Sequence, residues 1–243
     1  TAATRSLLNT AKLLDENPTL MRLKELEHAE RIELYADGER FRLHAGPYDT
    51  LDAARAAVDH APLIIAEINE QMPRTRGAAT LAWDRIDEFI LTNRPLWEHQ
   101  PEPETPETAR IGEIIADLIE DGSTLQAGIG GIPNAVLARL VNKIDLGVHT
   151  EMFSDGLIPL MENGVVTNRC KAVHPGRTIT SFVTGTRRLF DFVDDNPLVE
   201  FHPCDRTNDT NLLRKLDKLI AVNSALQVDL TGQVCADSIG HRI

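Results

Sequence analysis

Apolar residues recur along this chain with changing periods, and the changes divide it. Leu7, Leu8, Ala11 and Leu14 fall at helical spacing, and Leu20, Leu23, Leu26 and Ala29 continue a similar stripe after Asn17-Pro18. Proline fits the first turn of a second helix there, with Asn17 as its cap. Alternation follows: Ile32 and Leu34, then Asp37-Gly38, then Phe41 and Leu43, the pattern of a short hairpin with Asp-Gly at the turn. From about Thr50 the texture changes again. Residues 51–60 read as an alanine-rich helix, and Leu63-Ile64-Ile65-Ala66-Glu67-Ile68 is a nearly continuous apolar run. A strand buried on both faces of a parallel sheet has this character.

Residues 98–108 hold three prolines and four acids, which predicts an extended, self-repelling linker and a domain boundary. Beyond it, Thr108 is placed to cap a helix running to Glu120, with Ile111, Ile114, Ile115, Leu118 and Ile119 on its buried side. Thr124 to Ala127 reads as a strand, followed by a glycine turn and a helix from Pro133 to Asn142. Later apolar runs lie at residues 178–183, 198–201 and 219–222. Helix and strand in alternation predict an α/β fold: an open, mainly parallel sheet with flanking helices, preceded by an N-terminal helical segment. The expected division is residues 1–45 as a helical segment with a hairpin, unrelated to the rest; 46–97; the linker 98–108; and 109–243.

Charge narrows the partners. A formal net charge of -12 argues against a nucleic-acid binder, which needs a basic face. An anionic ligand would need a local cluster of basic groups or backbone N–H groups. No apolar run is long enough for a membrane span, and the N-terminus lacks the pattern of a signal peptide. Cys170, Cys204 and Cys235 form no C-x-x-C pair and read as reduced thiols of a cytoplasmic protein.

Candidate chemistry begins at Gly128-Ile129-Gly130-Gly131-Ile132-Pro133. Glycines there let backbone approach a ligand, and N–H groups at a helix start favour an oxygen. The spacing is neither a dinucleotide fingerprint nor a Walker loop, and by itself a tight turn without ligand is the stronger reading. His149 and Glu151 would share a strand face, as an acid/base pair or as metal ligands. Zinc usually gathers three or four ligands, so no metal is assigned, and Glu151 and Ser154 are read as hydrogen-bonding groups shaping a pocket wall. The loops His174-Pro175-Gly176-Arg177 and Gly185-Thr186-Arg187-Arg188 supply positive charge, either for phosphates or as caps and surface charge.

The stretch Asn223-Ser224-Ala225-Leu226-Gln227-Val228-Asp229-Leu230-Thr231-Gly232-Gln233-Val234 is the most specific in the chain. With residues 68–75, 128–134, 149–156 and 185–196, it resembles the acetyl-CoA hydrolase / 4-hydroxybutyrate CoA-transferase family. The resemblance implies the open α/β fold of class I CoA-transferases, with 46–97 as the last part of a first domain and 109–243 as a second domain. It also implies a chain incomplete at both ends. Expected ligands are acyl-CoA or coenzyme A as substrate and a small carboxylate, with no permanently bound cofactor. A homo-oligomer is expected from exposed sheet edges.

By the same resemblance, a glutamate nucleophile belongs at residue 227, where this chain has Gln227. Gly128, Gly130, Gly131, Glu151, Ser154, Asn223 and Gln233 are the expected substrate and CoA contacts. Asp229, two residues on, is a candidate substitute nucleophile, though its shorter arm would miss the required position. An amide is a far poorer nucleophile than a carboxylate. The expectations are therefore an enzyme of altered activity or a non-catalytic acyl-CoA-binding or interaction protein.

Overall fold

In a computed structural model, residues 64–78, 83–101 and 103–236 are described with their side chains, and residues 32–37 and 40–45 by their backbone. The helices expected within 1–31 and 51–60 lie outside the described residues. The chain divides into two compact units, residues 1–67 with 82–90 and residues 68–81 with 91–243.

In the first unit, β1 (Ile32–Asp37) pairs antiparallel with β2 (Arg40–Ala45), with Asp37 opposite Arg40. The apolar run near residue 65 forms β3 (Ile65–Asn69). It departs from expectation in its burial: exposed and half-buried positions alternate, and Ile65 is 40% exposed. Among the described residues β3 has one neighbouring strand and is therefore an edge strand of a two-stranded sheet. The short β4 (Arg76–Gly77) belongs to the second unit, and β5 (Glu88–Thr92), farther along the chain, pairs with β3.

The second unit holds the core. Its strands are β6 (Thr124–Ala127), β7 (Gly147–Val148), β8 (Met152–Phe153), β9 (Thr178–Thr180), β10 (Phe182–Val183), β11 (Val199–Phe201) and β12 (Leu219–Val222). β12, β6 and β7 run in parallel, as do β9, β11 and β4. A parallel bridge between His149 and Ile179 joins the two groups, so the order is β12-β6-β7-β9-β11-β4. β8 and β10 add a further parallel pair. Leu125, Val148, Phe153, Leu157, Leu189 and Val199 are 1% exposed or less and form the centre of the core. The open, mainly parallel sheet with flanking helices is thus the fold.

The helix Pro106–Leu118 begins one turn earlier than the pattern predicted. Thr105, not Thr108, is its cap. Proline at the first helical position fixes the start, and Thr105 and Thr108 exchange hydrogen bonds in a capping box. Its buried stripe is only partly the expected one: Ile119 is 1% exposed and Ile115 packs on the core. Gly112 and Ala116 face inward, whereas Ile111, Ile114 and Leu118 are 36%, 50% and 73% exposed. The cause is a close helix crossing: a Cβ on Gly112 would lie 2.8 Å from the backbone of Ala135. The partner helix is Gly131–Ala138, which ends short of Asn142 because residues 139–142 turn away. Lys143 donates to the Ile119 carbonyl at 2.6 Å just past the end of the first helix.

Candidate functional site

Two parallel strands end side by side, and the glycine turn starts there. β6 and β12 are in register from Thr124–Leu219 to Ala127–Val222, and Gly128 N–H then donates to the Val222 carbonyl at 2.8 Å. The next residue, Asn223, exchanges hydrogen bonds with Gln126 through both side-chain amides, at 2.8 and 3.3 Å. A Cβ on Gly128 would sit 2.8 Å from Asn223 Oδ1, so the approach depends on glycine. Gly130 adopts φ 107° and is the first residue outside the Gly131–Ala138 helix, with no side-chain cap. A Cβ there would meet nothing within 4 Å, so the turn faces open space. Crevices at the carboxyl ends of parallel strands are where open α/β sheets take ligands.

Residues 223–234 are exposed throughout. Within them, β13 (Gln227–Val228) pairs antiparallel with β14 (Val234–Cys235), with Gln227 opposite Cys235. The Gln227 side chain makes no hydrogen bond to another described residue. Asp229 is held in the turn through one carboxylate oxygen. Its Oδ1 accepts from Thr231 N–H (2.8 Å), Thr231 Oγ1 (2.7 Å) and Gln233 N–H (3.0 Å). These bonds, the Thr231 hydroxyl first, hold the Asp229 carboxyl below the usual aspartate range. A carboxylate so occupied is a turn residue. Gln233 also closes the hairpin, its carbonyl accepting from Asp229 N–H at 3.0 Å.

Glu151 and Ser154 lie elsewhere in the hydrogen-bond network. Glu151 accepts from Asn208 Nδ2 at 2.7 Å and lies 3.7 Å from Cys204 Sγ. Ser154 is buried where a short 3-10 turn begins. Among the described residues, no hydrogen bond joins either to Gln227 or to the glycine turn. His149 is not paired with Glu151. It is 1% exposed, and its Nε2–H donates to the Thr207 carbonyl at 2.8 Å. A carbonyl only accepts, so Nε2 carries the proton and Nδ1 is bare, buried and without a partner. Burial pulls the His149 pKa down to about 4.

The loop arginines are engaged in surface ion pairs: Arg187 with Asp191, Arg188 with Glu162 and Arg177 with Glu200. Gly185 packs against Asp155, whose carboxylate accepts from Thr186 N–H at 3.0 Å and so serves the start of the Arg187–Val193 helix.

Several residues escaped the sequence reading. Lys171 is 3% exposed, and its Nζ donates to the carbonyls of Val148 and Arg177, each at 2.7 Å. Burial pulls its pKa down to about 7. Asn168 is buried beside it, accepting from Val148 N–H and donating to Thr178 Oγ1. His174, Glu200 and His202 form a further cluster, with potential metal-ligating atoms all within 4.8 Å of one another. Burial first, and then the neighbouring His202, lower the His174 pKa. The signal available in the sequence was Glu200-Phe201-His202, whose outer members share one face of a strand.

The molecule is therefore an open α/β protein with a glycine turn and an exposed glutamine hairpin after adjacent strand ends. Residues 185–243 match the acetyl-CoA hydrolase/transferase C-terminal domain. A succinyl-CoA:acetate/propanoyl-CoA:succinate CoA transferase of Fasciola hepatica is 41% identical, over 96% of this chain and 49% of that protein. A 4-hydroxybutyrate coenzyme A transferase of Clostridium kluyveri is 46% identical, over 78% of this chain and 44% of its own length. Among solved structures, a 4-hydroxybutyrate CoA-transferase of Porphyromonas gingivalis superposes with a TM-score of 0.72 at 37% identity, covering 83% of this chain and 51% of that one. RipA of Yersinia pestis gives 0.74 at 34% identity, over 82% and 46%. The chain belongs to the acetyl-CoA hydrolase / 4-hydroxybutyrate CoA-transferase family. It spans about half the length of these relatives.

Proposed function

We propose that this chain carries part of an enzyme that moves coenzyme A between an acyl-CoA and a small carboxylic acid, of the acetate, butyrate or 4-hydroxybutyrate type, or that hydrolyses acetyl-CoA. On this reading, residues 46–97 close a first CoA-transferase domain, 98–108 join it to a second, and 109–243 belong to that second domain. The observation that carries the proposal is the placement of Gly128 and Asn223 at adjacent strand ends, directly ahead of the Gln227 hairpin. The open side of the turn at Gly130 and Gly131 offers N–H groups to a thioester carbonyl oxygen, the oxygen on which charge develops. Gln233, Glu151 and Ser154 are assigned to the surrounding wall.

The chemistry needs a carboxylate at residue 227. That carboxylate attacks the thioester carbonyl, the C–S bond breaks, and CoA leaves as the thiolate from a mixed anhydride. The thiolate then attacks the enzyme's own acyl carbon, releasing the first carboxylic acid as its anion and leaving an enzyme–CoA thioester. A second carboxylate reverses the sequence. Gln227 has a neutral amide and cannot form the ordinary anhydride, so the chain as written is expected to bind acyl-CoA and turn it over poorly. The same amide favours a second reading, a non-catalytic acyl-CoA-binding protein.

Titration calorimetry with acetyl-CoA and free CoA, run beside a thioester-loss assay, tests both. The expected result is binding without thioester loss, and a Gln227→Glu variant that consumes thioester. Loss at equal rates in both proteins would defeat the claim that the amide is disabling. Failure of either ligand to bind would overturn both readings.

A further inference from the structure

We propose that His174, Glu200 and His202 form a binding site for one divalent transition-metal ion of the zinc type, with the fourth coordination position open to water. Glu200, in β11, and His202, just past its end, lie two residues apart, and His174 reaches them from the turn that precedes β9. All three are half-buried, with side chains 27%, 11% and 21% exposed.

The distances are those of a coordination shell. Glu200 Oε2 lies 3.2 Å from His202 Nε2 and 3.7 Å from His174 Nδ1. Tetrahedral ligands at zinc bond lengths of about 2.0–2.1 Å stand about 3.4 Å apart. A hydrogen bond accounts for His202 but not for His174, because 3.7 Å is too long for one. One ion between the two imidazoles and the shared oxygen satisfies all three contacts.

The neighbouring cations do not compete for that oxygen. Arg177 Nε stands 3.5 Å from Glu200 Oε1, whereas both histidine contacts are to Oε2. Lys171, a buried cation nearby, is committed to the carbonyls of Val148 and Arg177. The backbone is also set for the purpose. His174 holds φ 51°, a left-handed conformation uncommon for a side-chain-bearing residue, and its ring lies 5.1 Å, centroid to centroid, from that of His202. Two imidazoles and one carboxylate are a donor set suited to zinc-type ions rather than to magnesium or calcium. Three protein ligands leave a coordination position for water on the half-exposed side. The ion would tie the His174 turn to β11. Arg177 and Lys171 add positive charge nearby, so modest affinity is expected.

The experiment uses the whole chain, stripped with chelator and titrated with ZnCl2 by calorimetry, with CoCl2 as a spectroscopic stand-in. One ion per chain is expected, with the intense visible absorption of four-coordinate cobalt. His174→Ala/His202→Ala and Glu200→Gln are each expected to weaken binding by at least about 100-fold, more than loss of an outer-shell partner typically does. Unchanged affinity in the double variant, or no saturable binding in the parent, overturns the proposal. X-ray absorption at the zinc edge of the unmodified protein needs no folded variant. Two imidazoles with oxygen and no sulfur are expected, whereas a sulfur shell would assign the ion to Cys170, Cys204 or Cys235 and sink the proposal.

Discussion

The wall behind β7 and the hairpin after β12 solve opposite problems. Behind β7, Asn168, Lys171, Thr150 and Thr178 are all 3% exposed or less, and each is tied to backbone or to a neighbouring side chain by hydrogen bonds. The hairpin carrying Gln227 is exposed from Gln227 to Val234 and is held by its short strand pairing and by one aspartate in its turn. Polar groups in the wall are out of water and costly to leave unpaired, whereas those on the hairpin exchange one partner for water at little cost. The residue proposed for the chemistry therefore sits on a hairpin that contributes little buried surface to the fold.

The largest effect that sharpens this contrast is at residue 227. Gln227→Glu is expected to raise thioester consumption by about 100-fold or more while shifting unfolding free energy by less than about 0.5 kcal/mol. A stability change above about 1 kcal/mol would break the contrast. Lys171→Ala is expected to do the reverse. It strands the carbonyls of Val148 and Arg177 and opens space beside Gly147, where the lysine stem packs. Urea unfolding should report a loss of about 3 kcal/mol. A loss under about 1 kcal/mol would mean that water replaces the amine.

A smaller effect follows from His149. Its folded pKa of about 4 lies below the ordinary histidine value, so between the two the unfolded chain binds the proton and the folded chain does not. Stability is expected to fall as pH drops from about 6.5 to 4, with full benefit above that window. Urea midpoints across the range read this, and a flat profile there counts against a neutral buried ring. The smallest effect is Asp229→Ala. Amide exchange at Thr231 and Gln233 should quicken while the melting temperature stays put. A lowered melting temperature would show that the hairpin is coupled to the core after all.

Legibility followed the range of the interaction. Strands β6, β9, β11 and β12 were readable because each lies in a short run rich in apolar or β-branched residues. The helix before β6 was readable, but its buried stripe was so only in Ile115 and Ile119. Gly112 and Ala116 are inward because a second helix comes close enough to exclude larger residues, and no local pattern announces such a crossing. The proximity of Gly128 and Asn223 depends on β6 and β12 being neighbours across 95 residues, again a matter of topology. Lys171 was hidden because a lone lysine in a loop reads as surface charge, and only the carbonyls of Val148 and Arg177 give it an interior place.

The sheet ends at β4, and that ending bears on how the protein behaves when concentrated. β4 is two residues long, Arg76 and Gly77, laid along β11. Gly77, at φ 102°, packs so tightly on Phe201 that any side chain there would collide with the backbone. Arg76 forms an ion pair with Asp195 at the same rim. A strand so short and charged is a poor template for a further strand from another copy, while it covers the edge of β11 that would serve as one. Removing it would be expected to leave the interior intact and to make the protein prone to self-association through strand addition.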